Sequence, residues 1–332
     1  MADPQPQVAR VEVAGRTLRL SSLDKVMYPA TETTKGEVLH YYAQIAPVLL
    51  PHVAARPVTR VRWPHGVEDQ SFFEKNLPSG APSWLPRVPV DDVTYPLVTD
   101  LADLTYLVNL NSLEVHVPQW TVDDEGERQN PDRLVIDLDP GKPAGLSECA
   151  RVALLVRERL AALGLDLFPV TSGSKGMQLY AALGGDLTSD QVRDLAMQLA
   201  QEMTKKHPDL VLWKMTKSLR PGKIFLDWSQ NVAAKTTISP YSLRGRELPC
   251  VAAPRTWAEV ERGAEEPGSL RQLMFDEVLE RVAADGSSRS PSPARRATSA
   301  EIAPLYSGSA PLAAISAPSP APPKISASMV AR

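Results

Sequence analysis

The chain has 332 residues, and its 43% apolar content is enough for one large domain or two smaller ones. Its 36 basic and 39 acidic side chains give a net charge of -3, so any contact with nucleic acid needs a local basic patch. Two cysteines argue against a disulfide framework or a cysteine zinc site, and no run of about 18 apolar residues predicts a membrane-spanning helix.

The predicted elements interleave strands and helices along the chain. An N-terminal hairpin over 8–20 is followed by a helix over 33–50, which Thr34 and Glu37 begin as a capping box. Further helices are predicted at Leu101–Leu110, Ser147–Leu163, Ser189–Lys206 and Leu270–Val282, and strands over 57–63, 113–120, 133–139, 167–173, 177–183 and 223–228. Long connections without helices, some of them proline-rich, favour an α+β fold with mixed sheets over a doubly wound sheet.

The composition divides the chain near Asp285. Residues 286–332 are rich in Ser, Pro and Ala and poor in aromatic residues, so they cannot bury enough surface to offset their ordering entropy. We therefore predict a domain over 1–285 and a disordered tail over 286–332. The N-terminus lacks the apolar region of a signal peptide, which predicts a cytoplasmic protein without membrane contact.

Two acids follow each other closely in the predicted strand RLVIDLDPG, which runs from Arg133 to Gly141. Side chains alternate between the two faces of a strand, so Asp137 and Asp139 share one face, with their Cα atoms roughly 6.5–7 Å apart. Like charges at that spacing call for a shared cation, or for one acid to take up a proton. A polar turn at DPG would explain Asp139, but it explains Asp137 poorly.

A third acid ends the apolar strand in KIFLDWSQN. Asp227 and Phe225 share one face of this strand, and Ile224, Leu226 and Trp228 share the other. An N-cap or turn role is the alternative for Asp227. Three such carboxylates fit a site for Mg²⁺ or Mn²⁺, which prefer oxygen ligands.

A small-residue loop, TSGSKGMQLY, lies between these strands. Its glycines and serines let backbone N–H groups approach phosphate oxygens, and Lys175 supplies a positive charge. The loop lacks the Walker spacing, so a plain hairpin turn is the alternative. Beside a carboxylate metal site it predicts a triphosphate cradle.

Other polar and aromatic residues allow both a functional and a structural interpretation. His116 shares a strand face with Glu114, and Phe72 and Phe73 cannot both face a core, so one of them is available to stack on a base. Structural packing is the alternative for each. Basic residues cluster in KMTKSLRPGK and YSLRGR, which suggests an anionic partner or a solvated loop.

Six segments taken together strongly resemble the polymerase domain of bacterial DNA ligase D, within the archaeo-eukaryotic primase superfamily. They occur in the family's order over about 8–285: LDKVMYP, VHVPQW, RLVIDLDPG, TSGSKGMQLY, FLDWSQN and KTTISPYSLRGR. The resemblance implies a primase-polymerase-like catalytic core with mixed and antiparallel sheets flanked by helices. It also implies a chain that is either a stand-alone relative or a domain of a longer protein.

The same resemblance implies an activity and its residues. The family adds nucleotides, often ribonucleotides, to DNA ends and short gaps in non-homologous end joining, using two Mn²⁺ or Mg²⁺ ions. Its metal acids match Asp137, Asp139 and Asp227, and its nucleotide contacts match Phe72, Phe73, His116, Ser172, Lys175, Gln230 and Arg244. Its DNA contacts match Lys25 and Lys35, for a downstream 5′-phosphate, and Arg220. Nucleoside triphosphates, DNA ends or gapped DNA, Ku and a DNA ligase are the partners implied, in a nucleoid-associated location.

Two departures from the family pattern leave alternatives open. Gln178 stands where the family has His, and an amide can donate a hydrogen bond to phosphate but cannot carry charge. The segment VPVDDVTYP is shorter than the family's DNA-end loop. A weakly catalytic DNA-end binding module is therefore the alternative function. A phosphohydrolase is disfavoured, because DLDPG lacks the Thr of that class's DxDGT motif.

Overall fold

The computed structural model describes residues 8–284, so the predicted tail over 286–332 lies outside the described residues. Six helices occur within this range: α1 Lys35–Val53, α2 Leu101–Asn109, α3 Leu146–Ala161, α4 Ser189–Lys206, α5 Trp257–Glu265 and α6 Phe275–Ala284. Short 3₁₀ turns cover Pro29–Thr31, Lys217–Leu219 and Trp228–Asn231. The described part of the chain has no helix long and apolar enough to cross a bilayer.

The strands form two main sheets and five two-stranded ribbons. Their bounds are β1 Val8–Val13, β2 Arg16–Ser21, β3 Val26–Tyr28, β4 Thr33–Thr34, β5 Thr59–Arg62, β6 Phe72–Glu74, β7 Arg87–Val90, β8 Val93–Pro96, β9 Ser112–Val117, β10 Trp120–Val122, β11 Arg128–Pro131, β12 Arg133–Pro140, β13 Leu167–Thr171, β14 Met177–Ala182, β15 Val211–Leu212, β16 Ile224–Asp227, β17 Thr237–Ile238, β18 Cys250–Val251, β19 Ala253–Pro254 and β20 Leu273–Met274. The larger sheet has the order β15-β16-β12-β14-β13-β19, and the smaller has β17-β9-β5-β6. Only the β15–β16 pair among the registered pairs of residues 8–284 is parallel, so the predicted α+β architecture with mixed and antiparallel sheets is confirmed.

Each main sheet has its own core. On the larger sheet, Leu134, Ile136 and Leu138 of β12 face buried residues of α3 and α4. The smaller sheet packs against α1 and α2, where Ile45 and Leu104 belong to the same buried cluster as Val115.

The face of β12 that does not contact α3 and α4 faces the smaller sheet. Val135 joins a small buried cluster that includes Tyr180 of the larger sheet and Ile238 of the smaller one. The predicted alternation along β12 is confirmed, because Val135, Asp137 and Asp139 lie on the face between the two sheets and the leucines lie on the other.

The C-terminal helix begins later than predicted. The apolar pattern of Leu270–Val282 predicted one helix, but Leu273 and Met274 form β20, which pairs with β18, and α6 begins at Phe275. Leu270 and Leu273 are both buried, so the spacing of these apolar residues does not distinguish a helix from a strand in this segment. Helix α5 was not predicted, although Thr256 and Glu259 form a capping box at its start.

The capping box predicted for α1 is confirmed. The Thr34 Oγ1 accepts a hydrogen bond from the Glu37 N–H at 3.2 Å, and the Thr34 N–H donates to Glu37 Oε2 at 2.7 Å. The short segment VPVDDVTYP forms the hairpin β7–β8, in which Asp91 has a positive φ of 50°. A two-residue loop joins its strands, which is a common hairpin length.

A buried side chain extends the hydrogen bonding of the central strand. The ladder between β12 and β16 begins at Asp137. Next to it, the Asn231 Oδ1 accepts the Val135 N–H at 3.0 Å, and the Asn231 Nδ2 donates to the Val135 carbonyl at 2.7 Å. Asn231 therefore takes the place of a strand residue along this edge of β12.

Asn231→Ala should destabilise the fold by about 2–4 kcal/mol, because it leaves two buried backbone groups of Val135 without partners. Chemical denaturation with an unchanged m-value is the measurement. The matched control is Asn130→Ala, which removes an exposed bond to the Gly185 carbonyl and should cost about 0.5 kcal/mol or less. A loss at Asn231 no larger than at Asn130 would contradict the strand-extending role.

Candidate active site

Strand pairing brings the three predicted acids together. Asp137 on β12 lies directly opposite Asp227 on β16, and Asp139 follows two residues further along β12. Residues directly opposite each other in an antiparallel pair have Cα atoms about 4.5–5.5 Å apart. The three carboxylates therefore occupy one face of the larger sheet, at the end of β12 and between the two sheets.

The electrostatics of Asp137 show the strain of this arrangement. Burial, followed by repulsion from Asp139 and Asp227, raises the pKa of Asp137 to about 7. Arg244 and a hydrogen bond from Gln178 act in the opposite direction without cancelling the rise. A divalent cation would relieve this environment, because it favours the charged form of a carboxyl that burial and two neighbouring acids disfavour. The donor set, three carboxylates, also suits Mg²⁺ or Mn²⁺.

The chain's own donors occupy the other two carboxylates. Asp227 accepts hydrogen bonds from the Ser229 N–H at 3.0 Å, from the Ser229 hydroxyl, and from Gln230 Nε2 at 2.9 Å. Asp139 lies 3.4 Å from the Lys175 ammonium and 3.7 Å from the Arg220 guanidinium. Within residues 8–284, no three His, Cys, Asp or Glu side chains already stand in a metal-binding arrangement. A cation at the acids would therefore have to replace some of these donors.

The loop Ser172–Gly176 is more closed than the sequence predicted. The Ser172 Oγ accepts the N–H groups of Ser174 and Gly176, and the Gly173 N–H donates to Gln272 Oε1 at 2.7 Å. The cradle of free backbone N–H groups expected here is therefore wrong for these three groups, because the chain itself uses them. Two other polar groups of the loop keep a hydrogen-bond donor for a ligand. They are the Lys175 ammonium, whose side chain is 60% exposed, and the Ser172 hydroxyl, which accepts two bonds and keeps its proton.

Close packing explains the two glycines of this loop. Gly173 has a φ of 69°, and a Cβ there would lie 2.8 Å from the Val251 carbonyl carbon. A Cβ on Gly176 would overlap the carbonyl oxygen of Leu138 on β12. The loop can pass this close to Val251 on β18 and to Leu138 on β12 only without side chains at these two positions.

The smaller sheet contributes a second charged group. Glu114 on β9 accepts hydrogen bonds from His116 Nε2 at 2.7 Å, from Arg244 at 3.0 Å and from the Gly245 N–H at 3.0 Å. Burial alone would raise the pKa of Glu114, but the bonds from His116, Arg244 and Gly245 outweigh it and lower the pKa to about 2. Glu114 therefore holds His116 and Arg244 in place at the edge of the site.

The two phenylalanines of β6 point in opposite directions. Phe73 pairs with Val61 and its ring centroid lies 6.3 Å from that of His116, so Phe73 faces the site. Phe72 pairs with Arg62 and lies on the other face of this edge strand. Their exposed fractions, 44% for Phe72 and 58% for Phe73, leave both rings available for stacking, but only Phe73 lies beside His116.

The predicted DNA-contacting lysines lie together at the start of α1. The Lys35 ammonium donates to the Ser21 carbonyl at 2.7 Å, and the Lys25 ammonium donates to the Pro64 carbonyl. Burial, and then repulsion from Lys25, lowers the pKa of Lys35 to about 8. Lys35 is only 3% exposed, so Lys25 is the more accessible of these two neighbouring cations beside the helix N-terminus, where an anion is favoured.

Arg220, which was predicted as a DNA contact, lies beside the acids. Its guanidinium stacks 4.0 Å from the centroid of the Phe225 ring and lies near Asp139. The preceding residues Lys214, Met215, Lys217 and Leu219 are exposed, so the basic cluster predicted in this loop is a surface feature.

Sequence reasoning missed Gln272 and understated Glu114. Gln272 accepts from the Gly173 N–H and donates to the Gly176 carbonyl at 3.0 Å, so it fixes the loop at both ends. It lies in a segment predicted as helix, about one hundred residues from its partners, and no local pattern marks it. Glu114 could have been found from its place beside His116 on the polar face of a strand.

The comparisons with known proteins agree on one family. A family model described as "LigD, primase-polymerase domain" matches residues 34–288. A solved structure, "Polymerase Domain from Mycobacterium tuberculosis Ligase D in complex with DNA", superposes with a TM-score of 0.77 at 49% identity. That superposition covers 81% of this chain and 95% of the solved chain.

Curated relatives are longer than this chain. "Multifunctional non-homologous end joining protein LigD" of Mycolicibacterium smegmatis is 51% identical over 269 residues, which cover 80% of this chain and 34% of the relative. "Bifunctional non-homologous end joining protein LigD" of Bacillus subtilis is 33% identical over 272 residues, which cover 81% of this chain and 43% of the relative. The chain thus spans about a third of the first of these curated relatives and about two fifths of the second.

Glu114→Gln should flatten the acid dependence of stability. The folded-state pKa of Glu114 is about 2, below the ordinary 4.5, so its contribution is present above pH 4.5 and is lost as the pH falls toward 2. That shift corresponds to about 3 kcal/mol, so the wild type should exceed the variant by up to about this amount at pH 6 and by much less at pH 3.

The measurement is the free energy of unfolding of both proteins between pH 3 and pH 6. The exposed Glu247→Gln serves as the control and should leave the wild-type pH dependence unchanged. A difference between wild type and Glu114→Gln that stays constant over this range would contradict the ion-pair role of Glu114.

Proposed function

This chain belongs to the primase-polymerase domain family of LigD, and we propose that it is a metal-dependent nucleotidyltransferase. It adds nucleotides, with ribonucleotides preferred, to DNA 3′ ends and short gaps during non-homologous end joining. The observation that carries this proposal is the register of β12 and β16, which sets Asp137 opposite Asp227 with Asp139 beside them. The similarity to a polymerase domain solved in complex with DNA supports DNA as the partner.

The three acids would hold two Mn²⁺ or Mg²⁺ ions. When bound, such ions activate the primer 3′-hydroxyl as a nucleophile and neutralise the charge that develops on the α-phosphate. The raised pKa of Asp137 supports this assignment, because a cation would favour the charged form of a carboxylate that burial and two neighbours disfavour. Gln230 holds Asp227 through its amide, which orients that carboxylate.

Cations and donors around the acids suit a nucleoside triphosphate. Lys175 is exposed on its loop, and the Ser172 hydroxyl has its proton free to donate. Arg244 and His116 line the opposite side, both held by Glu114. Phe73 offers an exposed ring beside His116 on which the base would stack. Phosphate, sugar and base would thus be bound by residues of both sheets.

Partners beyond the nucleotide follow from the proposed pathway. DNA ends or gapped DNA with a 5′-phosphate would be bound at Lys25 and Lys35, and Arg220 would contact the DNA end. Ku and a DNA ligase are the protein partners that the family resemblance implies at the same break, and the longer relatives are named as multifunctional or bifunctional end-joining proteins. A nucleoid-associated location in the cytoplasm would follow from this work on DNA.

A DNA-end binding module with weak catalysis is the second candidate. It is favoured by one observation, the pairing of Asp139 with Lys175 and Arg220, which places two of the chain's own cations on a carboxylate that a metal would need. Primer extension on gapped DNA separates the two functions, since only the polymerase would extend the primer.

Asp137→Ala combined with Asp139→Ala should lower primer extension by about a thousandfold or more, because the nucleophile and the α-phosphate would lose their metal ions. Removing two neighbouring charges that repel each other should leave the melting temperature of the protein equal or higher. Extension of gapped DNA with Mn²⁺ and each nucleotide set is the assay, and fluorescence anisotropy of labelled DNA checks binding.

The exposed Asp166→Ala is the matched control and should extend normally. Substantial primer extension by the Asp137→Ala, Asp139→Ala variant would contradict the assignment of these carboxylates as metal ligands. Intact DNA binding by a wild type that does not extend would favour the end-binding module.

Lys25→Ala with Lys35→Ala should erase a preference for the downstream 5′-phosphate. Charge-assisted contacts are worth about 1.5–3 kcal/mol each, so wild type should bind gapped DNA with a 5′-phosphate roughly tenfold or more tightly than the 5′-hydroxyl form. The variant should bind both DNAs equally and with a smaller salt dependence, because fewer counterions are released.

Titrations of both DNAs at several salt concentrations test this pocket. The control is Lys205→Ala with Lys206→Ala, which removes two exposed lysines of α4 and should keep the phosphate preference. Equal affinity of the wild type for the two DNAs would reject the pocket.

A further inference from the structure

A buried hydroxyl group lies behind the acids and contacts one of their neighbours. Gln178 and Tyr180 are two residues apart on β14, so their side chains share a face. The Tyr180 hydroxyl lies 2.8 Å from Gln178 Oε1 and 3.2 Å from the Ile238 carbonyl oxygen. Gln178 in turn lies directly opposite Asp137, and its amide acts to lower the pKa of that carboxyl, as a donor directed at the carboxylate would.

The two contacts of Gln178 fix which way its amide points. An ionised carboxylate can only accept, so the charged form of Asp137 requires the NH₂ group of Gln178 on its side. A phenol can donate to the amide oxygen, and the Tyr180 hydroxyl does so from the other side. A flipped amide would turn its oxygen toward the Asp137 carboxylate, so that two acceptors would face each other, and it would leave the phenol proton with only the more distant Ile238 carbonyl at 3.2 Å. The hydroxyl therefore selects one of two amide orientations.

The Tyr180 side chain is itself packed in a buried cluster. Its ring is only 8% exposed and belongs to the buried cluster with Val135 and Ile238 between the two sheets. The Arg133 guanidinium lies over the ring at 5.7 Å from the centroid. The packing of the ring against Val135 and Ile238 places its hydroxyl beside Gln178.

We propose that Tyr180 is a positioning residue that orients the Gln178 amide, so that its NH₂ group faces Asp137 and the nucleotide-binding side of the site. This inference rests on the proposed function for its consequence in catalysis, and on the observed contacts for the orientation itself. Burial raises the pKa of Tyr180, which keeps the phenol protonated and able to donate at neutral pH.

A double-mutant cycle tests the consequence. Tyr180→Phe removes one oxygen atom and keeps the ring, so it should fold, and it should lower kcat/KM for nucleotide addition about threefold to tenfold, the worth of one hydrogen bond. In a Gln178→Ala background the same Tyr180→Phe change should alter kcat/KM by less than about 1.5-fold, since no amide is left to orient. A tyrosine with a merely structural role would lower kcat/KM equally in both backgrounds, and that result would overturn the proposal.

A second measurement tests the orientation without any catalysis. The side-chain NH₂ resonances of Gln178, assigned by their loss in Gln178→Ala, should shift in Tyr180→Phe and should be unchanged in the control Tyr106→Phe on α2. Unchanged Gln178 resonances in Tyr180→Phe would overturn the proposal. A shift in a protein that does not extend primers would instead support the orientation and contradict the proposed polymerase function.

Discussion

The repulsion among three carboxylates on one sheet face is the constraint on which the rest of the site depends. Asp137 and Asp139 share a face because they are two residues apart on β12, and Asp227 joins them because β16 pairs in this register. A slip of one residue would turn Asp137 into the core now filled by Ile136 and Leu138, so the buried leucine face holds the register. The hydrophobic core of the larger sheet thus keeps together three charges that would otherwise separate.

Two buried acids of this protein respond to burial in opposite ways. Asp137 has carboxylates as its nearest charges, and its pKa rises to about 7. Glu114 has an arginine, a histidine and a backbone N–H as partners, and its pKa falls to about 2. Burial alone would raise both, so the partners decide the direction. Glu114 thus organises its neighbours, whereas Asp137 lies among carboxylates that disfavour its charged form.

The sequence predicted the local parts of the site and not the contacts between distant parts. Alternation along RLVIDLD placed Asp137 and Asp139 on one face, and a capping box marked α1, because both patterns depend on residues a few positions apart. The facing of Asp227 and Asp137 depends on which strands pair, which no local pattern specifies. The same limit applies to Gln272, whose partners Gly173 and Gly176 lie about one hundred residues away. The N–H groups of the loop were therefore predicted to approach phosphate oxygens. In the structure, Gln272 and the Ser172 hydroxyl accept three of them.

Charge compensation explains how three acids can be folded together by the chain alone. Asp139 lies near Lys175 and Arg220, and Asp227 accepts three hydrogen bonds from the turn that follows it. Asp137 has the amide of Gln178 and the charge of Arg244 as compensation, and burial together with its two neighbouring carboxylates raises its pKa. The strain of the site is thus concentrated on the central carboxylate of the group. The orientation of the Gln178 amide matters for this reason, because it is the hydrogen bond that the larger sheet supplies to Asp137.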